Sequence, residues 1–142
     1  MQFKVTLSDH ISPRLIKIAR SLADRRPILE AMGKQLESLT VRAFNEPALR
    51  PAPWAPRKKT GEKHALLIKS LALFESITTS HLTNNSVTVS SSRPYAAIHQ
   101  LGGITRPIPA RPFFPFLKGQ PTPLAVRKLE AIMKEKLEAI LR

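Results

Sequence analysis

Cysteine is absent from the 142 residues, which excludes a disulfide scaffold, cysteine-bearing zinc sites and thiol catalysis. The absence fits a reducing compartment. No run approaches the roughly 18–20 apolar residues that a membrane-spanning helix needs. The opening MQFKVTLSDH has no apolar core region, so no signal peptide is expected. Acid is scarce as well: ten Asp/Glu stand against 23 Lys/Arg, for a net charge of +13. All ten acids lie at or before Glu75, or at or after Glu130, which leaves 76–129 with six Lys/Arg and no acid. Two readings of this charge stand: a solvated basic surface, or a face that meets acidic protein or nucleic acid.

Catalytic and metal-binding patterns are missing too. The histidines His10, His64, His81 and His99 are scattered, with no HExxH, no His/Asp cluster and no glycine-rich phosphate loop. No pair of acids stands in a cleft-like context that suggests acid/base work. The expectation is therefore a protein without enzymatic activity, cofactor or bound metal. His99, beside Tyr95, is expected to be packed and hydrogen-bonded rather than a ligand or base. Nucleic-acid signatures such as an RNP-like motif, a GXXG loop or a zinc pattern are absent. The run Arg57-Lys58-Lys59 remains suited to sequence-blind phosphate contact.

What is present is 42% apolar content in a length that suits a single domain, 1–142, with a core of its own. Phe3, Val5 and Leu7 alternate with polar residues and predict a strand over 2–7. Ser12 as N-cap and Pro13 at the first position open a helix over 13–24, with Leu15, Ile18, Ala19 and Leu22 on one face. A second helix over 27–45 carries the stripe Leu29, Met32, Leu36, Leu39 and Ala43, expected to be core rather than a coiled-coil seam. Gly33 in that helix suggests the close approach of another backbone.

A loop over 47–63 follows, with four prolines, Trp54 and the basic run; it is expected to be exposed and poorly ordered in the free protein. Trp54 either folds back as a lid on the core or meets a partner. A short helix over 64–74 and a hairpin of strands 75–81 and 86–91 come next, with Asn84-Asn85 expected to take positive φ in a tight turn. A helix over 95–101, entered through Pro94, ends at Gly102. The last helix, 123–141, has Val126, Leu129, Ile132, Met133, Leu137 and Ile140 at helical spacing. Glu130 and Lys134 begin its i,i+4 charge pairs on the wet side. No internal repeat or low-complexity tract is visible. The fold class predicted is α+β: a small antiparallel sheet, joined by an extended piece near 111–116, packed against long α-helices, with a long Pro-rich loop.

The chain is organised around 95–116, YAAIHQLGGITRPIPARPFFPF, which holds four prolines and three phenylalanines and no acid. Prolines bar it from a central strand or helix interior. Arg111 lies between Pro109 and Pro112, so its guanidinium is presented from a stiff segment. If 113–114 is extended, adjacent rings point to opposite faces, one into the core and one outward. The outward ring and Arg111 would then form a partner contact; the alternative is that Arg111 serves its own subunit.

The order of motifs resembles that of the phage virion morphogenesis family, from about Met32 to the C-terminus and more weakly before it. The matching pieces are PAPWAP around Trp54, Leu73-Phe74-Glu75-Ser76-Ile77 as L-x-x-S-I, and Val87-Thr88-Val89. The most specific are YAAIHQLGG from Tyr95 to Gly103 and IPARPF from Ile108 to Phe113. Two departures are Arg50-Pro51-Ala52-Pro53, where relatives often have a glycine, and Ser70-Leu71, where they often have Thr-Gly. Leu71 suggests a continuous helix where relatives turn.

The resemblance implies a structural protein of a tailed phage or prophage that completes the tail or joins it to the head at the neck. Such proteins commonly form rings. Its partners would be tail and neck/connector proteins, with non-specific DNA contact and no membrane, in the virion and in the host cytoplasm during assembly. Candidate partner-interface residues are Trp54, Arg57, Lys58, Lys59, Arg106, Arg111, Phe113 and Phe114. The alternative is a sequence-independent nucleic-acid-binding protein.

Overall fold

A computed structural model of the chain describes residues 2–6, 11–56, 72–103 and 108–141. The fold is α+β. Strands β1 (Gln2–Thr6), β2 (Ile77–Ser80) and β3 (Ser86–Ser91) form an antiparallel sheet in the order β1-β3-β2. Val5 stands opposite Val87, and Ile77 opposite Ser91. Val87 and Val89 on the central strand are fully buried, as the period-two pattern requires.

Helix α2 (Arg26–Arg42) lies between this sheet and α5 (Pro123–Ile140). Its stripe of Leu29, Met32, Leu36 and Leu39, continued by Ala43, is buried in the core as expected. Gly33 is where helix and sheet meet. A Cβ placed there would stand 2.8 Å from Thr79 Cγ2 and 3.0 Å from Val87 Cγ2. Thr79 is held in place, since its hydroxyl donates to the Glu37 carboxylate. From α5, Ala125, Leu129, Met133 and Leu137 are buried, whereas Ile140, expected on the same face, is exposed at the helix end.

Helix α1 (Pro13–Arg20) is shorter than its apolar pattern predicted. Its last carbonyl, Arg20 O, and Leu22 O accept from Arg25 Nη1 at 3.3 Å, and the chain turns there into α2. The buried positions are Ile16 and Ala19, a slight rotation from the expected face. Ser12 occupies the N-cap, but its hydroxyl makes no capping bond. Its N–H instead donates to Glu130 Oε1 at 2.9 Å, so a carboxylate expected to face solvent ties α5 to the start of α1.

The hairpin forms with a different turn. Positive φ falls on His81 rather than on Asn84-Asn85. Thr83 Oγ1 accepts from the N–H groups of Asn85 and Ser86, both at 3.1 Å. Asn84 is occupied elsewhere: its Oδ1 accepts from Arg25 N at 2.6 Å and its Nδ2 donates to Ala23 O at 3.0 Å. The turn is thereby clipped to the α1–α2 connection. The stretch 111–116, expected to add to this sheet, does not join it: its prolines remove the donors a ladder needs. Phe116–Leu117 (β4) pairs instead with Gln120–Pro121 (β5) in a separate two-stranded ribbon. After α2, Pro47–Leu49 makes one 3-10 turn, and Ala72–Glu75 (α3) is a single helical turn before β2. The rest of the expected 64–74 helix, 64–71, lies outside the described residues.

Candidate functional site

The site is built on the short helix α4 (Ala96–Leu101) and the segment 108–116 that returns beside it. Gly102 ends the helix at φ +82, and a Cβ there would stand 3.2 Å from both Ala110 N and Ile108 O. Glycine is needed both for the left-handed backbone and for this close approach. The returning segment is then held by backbone bonds: Gly103 N to Ile108 O at 3.0 Å and Arg111 N to His99 O at 2.7 Å.

Buried Gln100 supplies what the prolines cannot. Its Oε1 accepts from the N–H groups of Phe113 and Phe114, each at 2.9 Å. Its Nε2 donates to Phe114 O at 3.1 Å and more weakly to Phe116 O at 3.4 Å. One side-chain amide thus replaces a strand partner for an irregular segment. With its N–H groups turned toward one residue, the segment is not extended, and the rings of Phe113 and Phe114 do not alternate. Both are buried, 4.8 Å apart between centroids, and Phe113 packs 5.2 Å from Phe44. The expectation that one ring faces outward is therefore corrected: neither Phe113 nor Phe114 presents a surface to a partner.

Trp54 closes this cluster. Its Nε1 donates to Pro112 O at 2.8 Å, and its ring meets Phe44 edge-on at 6.0 Å. The Arg50 guanidinium lies 3.7 Å over the Trp54 ring and donates to Ala43 O and Phe44 O just beyond the C-terminus of α2, at 2.7 and 3.1 Å. This combines a cation–π contact with neutralisation of the negative helix end. Trp54 is half-buried and acts as a lid on the core. Arg111 faces the same loop, with Nε donating to Ala55 O at 2.9 Å and Nη2 to Pro56 O at 3.0 Å. Of the two readings left open for Arg111, the intrasubunit one describes these bonds. The loop over 50–56 is pinned at Arg50, Trp54 and Arg111. Arg57, Lys58, Lys59 and Arg106 lie outside the described residues, as does 57–63 of the long loop. Its described part, 47–56, corrects the expectation of poor order: the 3-10 turn at Pro47–Leu49 and the bonds of Arg50, Trp54 and Arg111 hold it.

His99 departs from the expectation of a hydrogen-bonded ring. Its Nδ1 is buried without a hydrogen-bond partner among the described residues, and the ring meets Tyr95 edge-on at 5.8 Å. Burial, and secondarily the Arg111 charge, push its pKa below the ordinary value of 6.5. Gln100 and Arg50 were not singled out by sequence reasoning. The signal for Gln100 was available: N–H groups in a proline-broken segment without a ladder must find a side-chain acceptor. The outer face of α4 was also missed: Tyr95, Ile98 and Leu101 are all exposed there.

A family model described as the phage virion morphogenesis family matches residues 8–140. A protein of Haemophilus influenzae described as Mu-like prophage FluMu G protein 2 is 33% identical over 118 residues, which cover 80% of this chain and 82% of that protein. No solved structure is significantly similar. With the match spanning nearly the whole sequence, and with the two motifs at 95–103 and 108–113 folded into one clamp, the chain belongs to the phage virion morphogenesis family.

Proposed function

We propose that this protein is a structural, non-catalytic component of tailed-phage assembly that completes the tail or joins it to the head at the neck, acting as a ring of identical copies. A role in phage virion assembly follows from the family. The observation that carries it is the family match across 8–140, with a sequence that lacks any catalytic motif. The net charge of +13 suits contact with acidic neighbouring subunits or with DNA passing through a ring.

The test is deletion of the gene from an inducible prophage, with electron microscopy of the particles released. Separate full heads and unfinished tails are expected, restored to infectious particles by the gene in trans. Normal infectious yield from the deletion would overturn the reading. The second reading, sequence-independent nucleic-acid binding, rests on the charge. It predicts sub-micromolar binding of duplex DNA at physiological salt, whereas an assembly protein of this charge is expected to bind DNA weakly at low salt and to have lost that binding by physiological ionic strength.

A further inference from the structure

Helix α4 has two dissimilar sides. Its inner side is fixed: Ala96 and Gln100 are buried, and Gln100 makes four hydrogen bonds into 113–116. Its outer side carries Tyr95, Ile98 and Leu101 at spacing of three, which puts them on one stripe. Their exposures are 37%, 42% and 71%. A single exposed leucine needs no explanation, but three large apolar side chains aligned on a rigidly held helix form a patch. Two cations flank this helix: Arg93, exposed two residues before Tyr95 with Nε 3.4 Å from Ala72 O, and Arg111, whose backbone N donates to His99 O and whose guanidinium donates to Ala55 O and Pro56 O. The entire stretch 76–129 contains no acid.

We propose that the outer face of α4, formed by Tyr95, Ile98 and Leu101, is a docking surface for an apolar, acid-rimmed patch on a different protein of the virion. The inference rests on the assembly role proposed above. Charge selects the partner. A second copy seated face to face would bring the same apolar stripe with the same cations, so like charges would meet at the rim, and a ring neighbour would offer another surface of a chain whose net charge is +13. A nucleic-acid backbone offers the cations phosphates but leaves the three apolar side chains without a partner. An acid-rimmed protein surface satisfies both. Because the clamp already holds α4, docking orders little new backbone.

The experiment uses the gene-deleted prophage complemented in trans by wild type, Leu101→Lys, Leu101→Glu, the double variant Ile98→Ser/Leu101→Ser, or the control Leu82→Ser at another exposed apolar site. Tails and heads purified from the deletion strain are the binding probes for the purified chains, each first checked by thermal melt. The double variant should melt near wild type and bind at least about 30-fold more weakly, the size of one hot-spot loss. Leu101→Glu should lose more than Leu101→Lys, and Leu82→Ser should behave as wild type. Equal losses for Glu and Lys would overturn the acidic partner. Full complementation by the double variant would overturn the surface. So would a dimer, or bound 20-base-pair duplex, that the double variant abolishes. A deletion that leaves the titre unchanged would overturn the assembly role and this inference with it, whereas a deletion phenotype fully rescued by the double variant overturns the inference alone.

Discussion

The side-chain amide of Gln100 grips Phe114 at both ends, accepting from its N–H at 2.9 Å and donating to its carbonyl at 3.1 Å. No other residue type of this size offers an acceptor and two donors without a charge. Gln100→Leu should therefore strand two buried N–H groups, those of Phe113 and Phe114, at a cost of about 2–5 kcal/mol. Urea denaturation would measure it. A variant within about 0.5 kcal/mol of wild type would show that the amide is dispensable.

Phe113→Ala and Phe114→Ala should each destabilise the isolated chain by roughly 3–5 kcal/mol, because each empties a buried aromatic site. The two should be non-additive, since the rings touch at 4.8 Å between centroids. A mild loss in either one would mean that its ring is not core.

Arg111→Ala should lower stability by about 1–3 kcal/mol through loss of its charge-assisted bonds to Ala55 and Pro56. Hydrogen exchange should rise selectively among the amides of 52–56. Arg111→Lys should rescue poorly, because an ammonium cannot span two carbonyls as the guanidinium fork does. Unchanged exchange in 52–56 would contradict the pinning.

Gly33→Ala is ordinarily stabilising in a helix, by roughly 1 kcal/mol. Here the opposite is expected. The new methyl would stand 2.8 Å from Thr79, a β-branched side chain fixed by its bond to Glu37. Overpacking of this kind costs about 1–3 kcal/mol. The melting temperature should fall, and a rise would show that the helix–sheet contact can give way.

His99 predicts an acid-side loss of stability. Its folded pKa lies below the ordinary 6.5, so between those two values the unfolded chain binds the proton first. This contribution is fully present above pH 6.5 and is lost as the pH falls toward the folded pKa. Stability measured from pH 7.5 down to pH 5.5 should drop in wild type and drop less in His99→Gln. Parallel curves would remove His99 as the cause.

Much of the fold was legible because it depends on periodicity. The stripe from Leu29 to Ala43, the valines of β3, and Leu129, Met133 and Leu137 of α5 follow from spacing alone. What escaped depends on bonds between distant residues. The turn at Asn84-Asn85 could not be read locally, because Asn84 is engaged by Ala23 and Arg25. The rings at 113 and 114 were misassigned because alternation holds only in an extended strand, and Gln100 gathers both N–H groups to one side. At Trp54 and Arg111 the residue types were noticed, but their partners are backbone carbonyls, which leave no trace in composition.

The pairing of β1 with β3 sets the order in which the nascent chain can fold. Val5 finds Val87, and Gln2 finds Ser90, only after the chain has been extended past those residues. At translation rates of about 5–20 residues per second, β1 waits roughly 4–17 s with its backbone unpaired. During that interval α1 and α2 can form, but the sheet against which Gly33 packs does not yet exist. Completion is delayed further until α5, which follows the whole sheet in the sequence, reaches the other side of α2. The fold is therefore expected to be acquired in one late step, once α5 has been synthesised, rather than element by element.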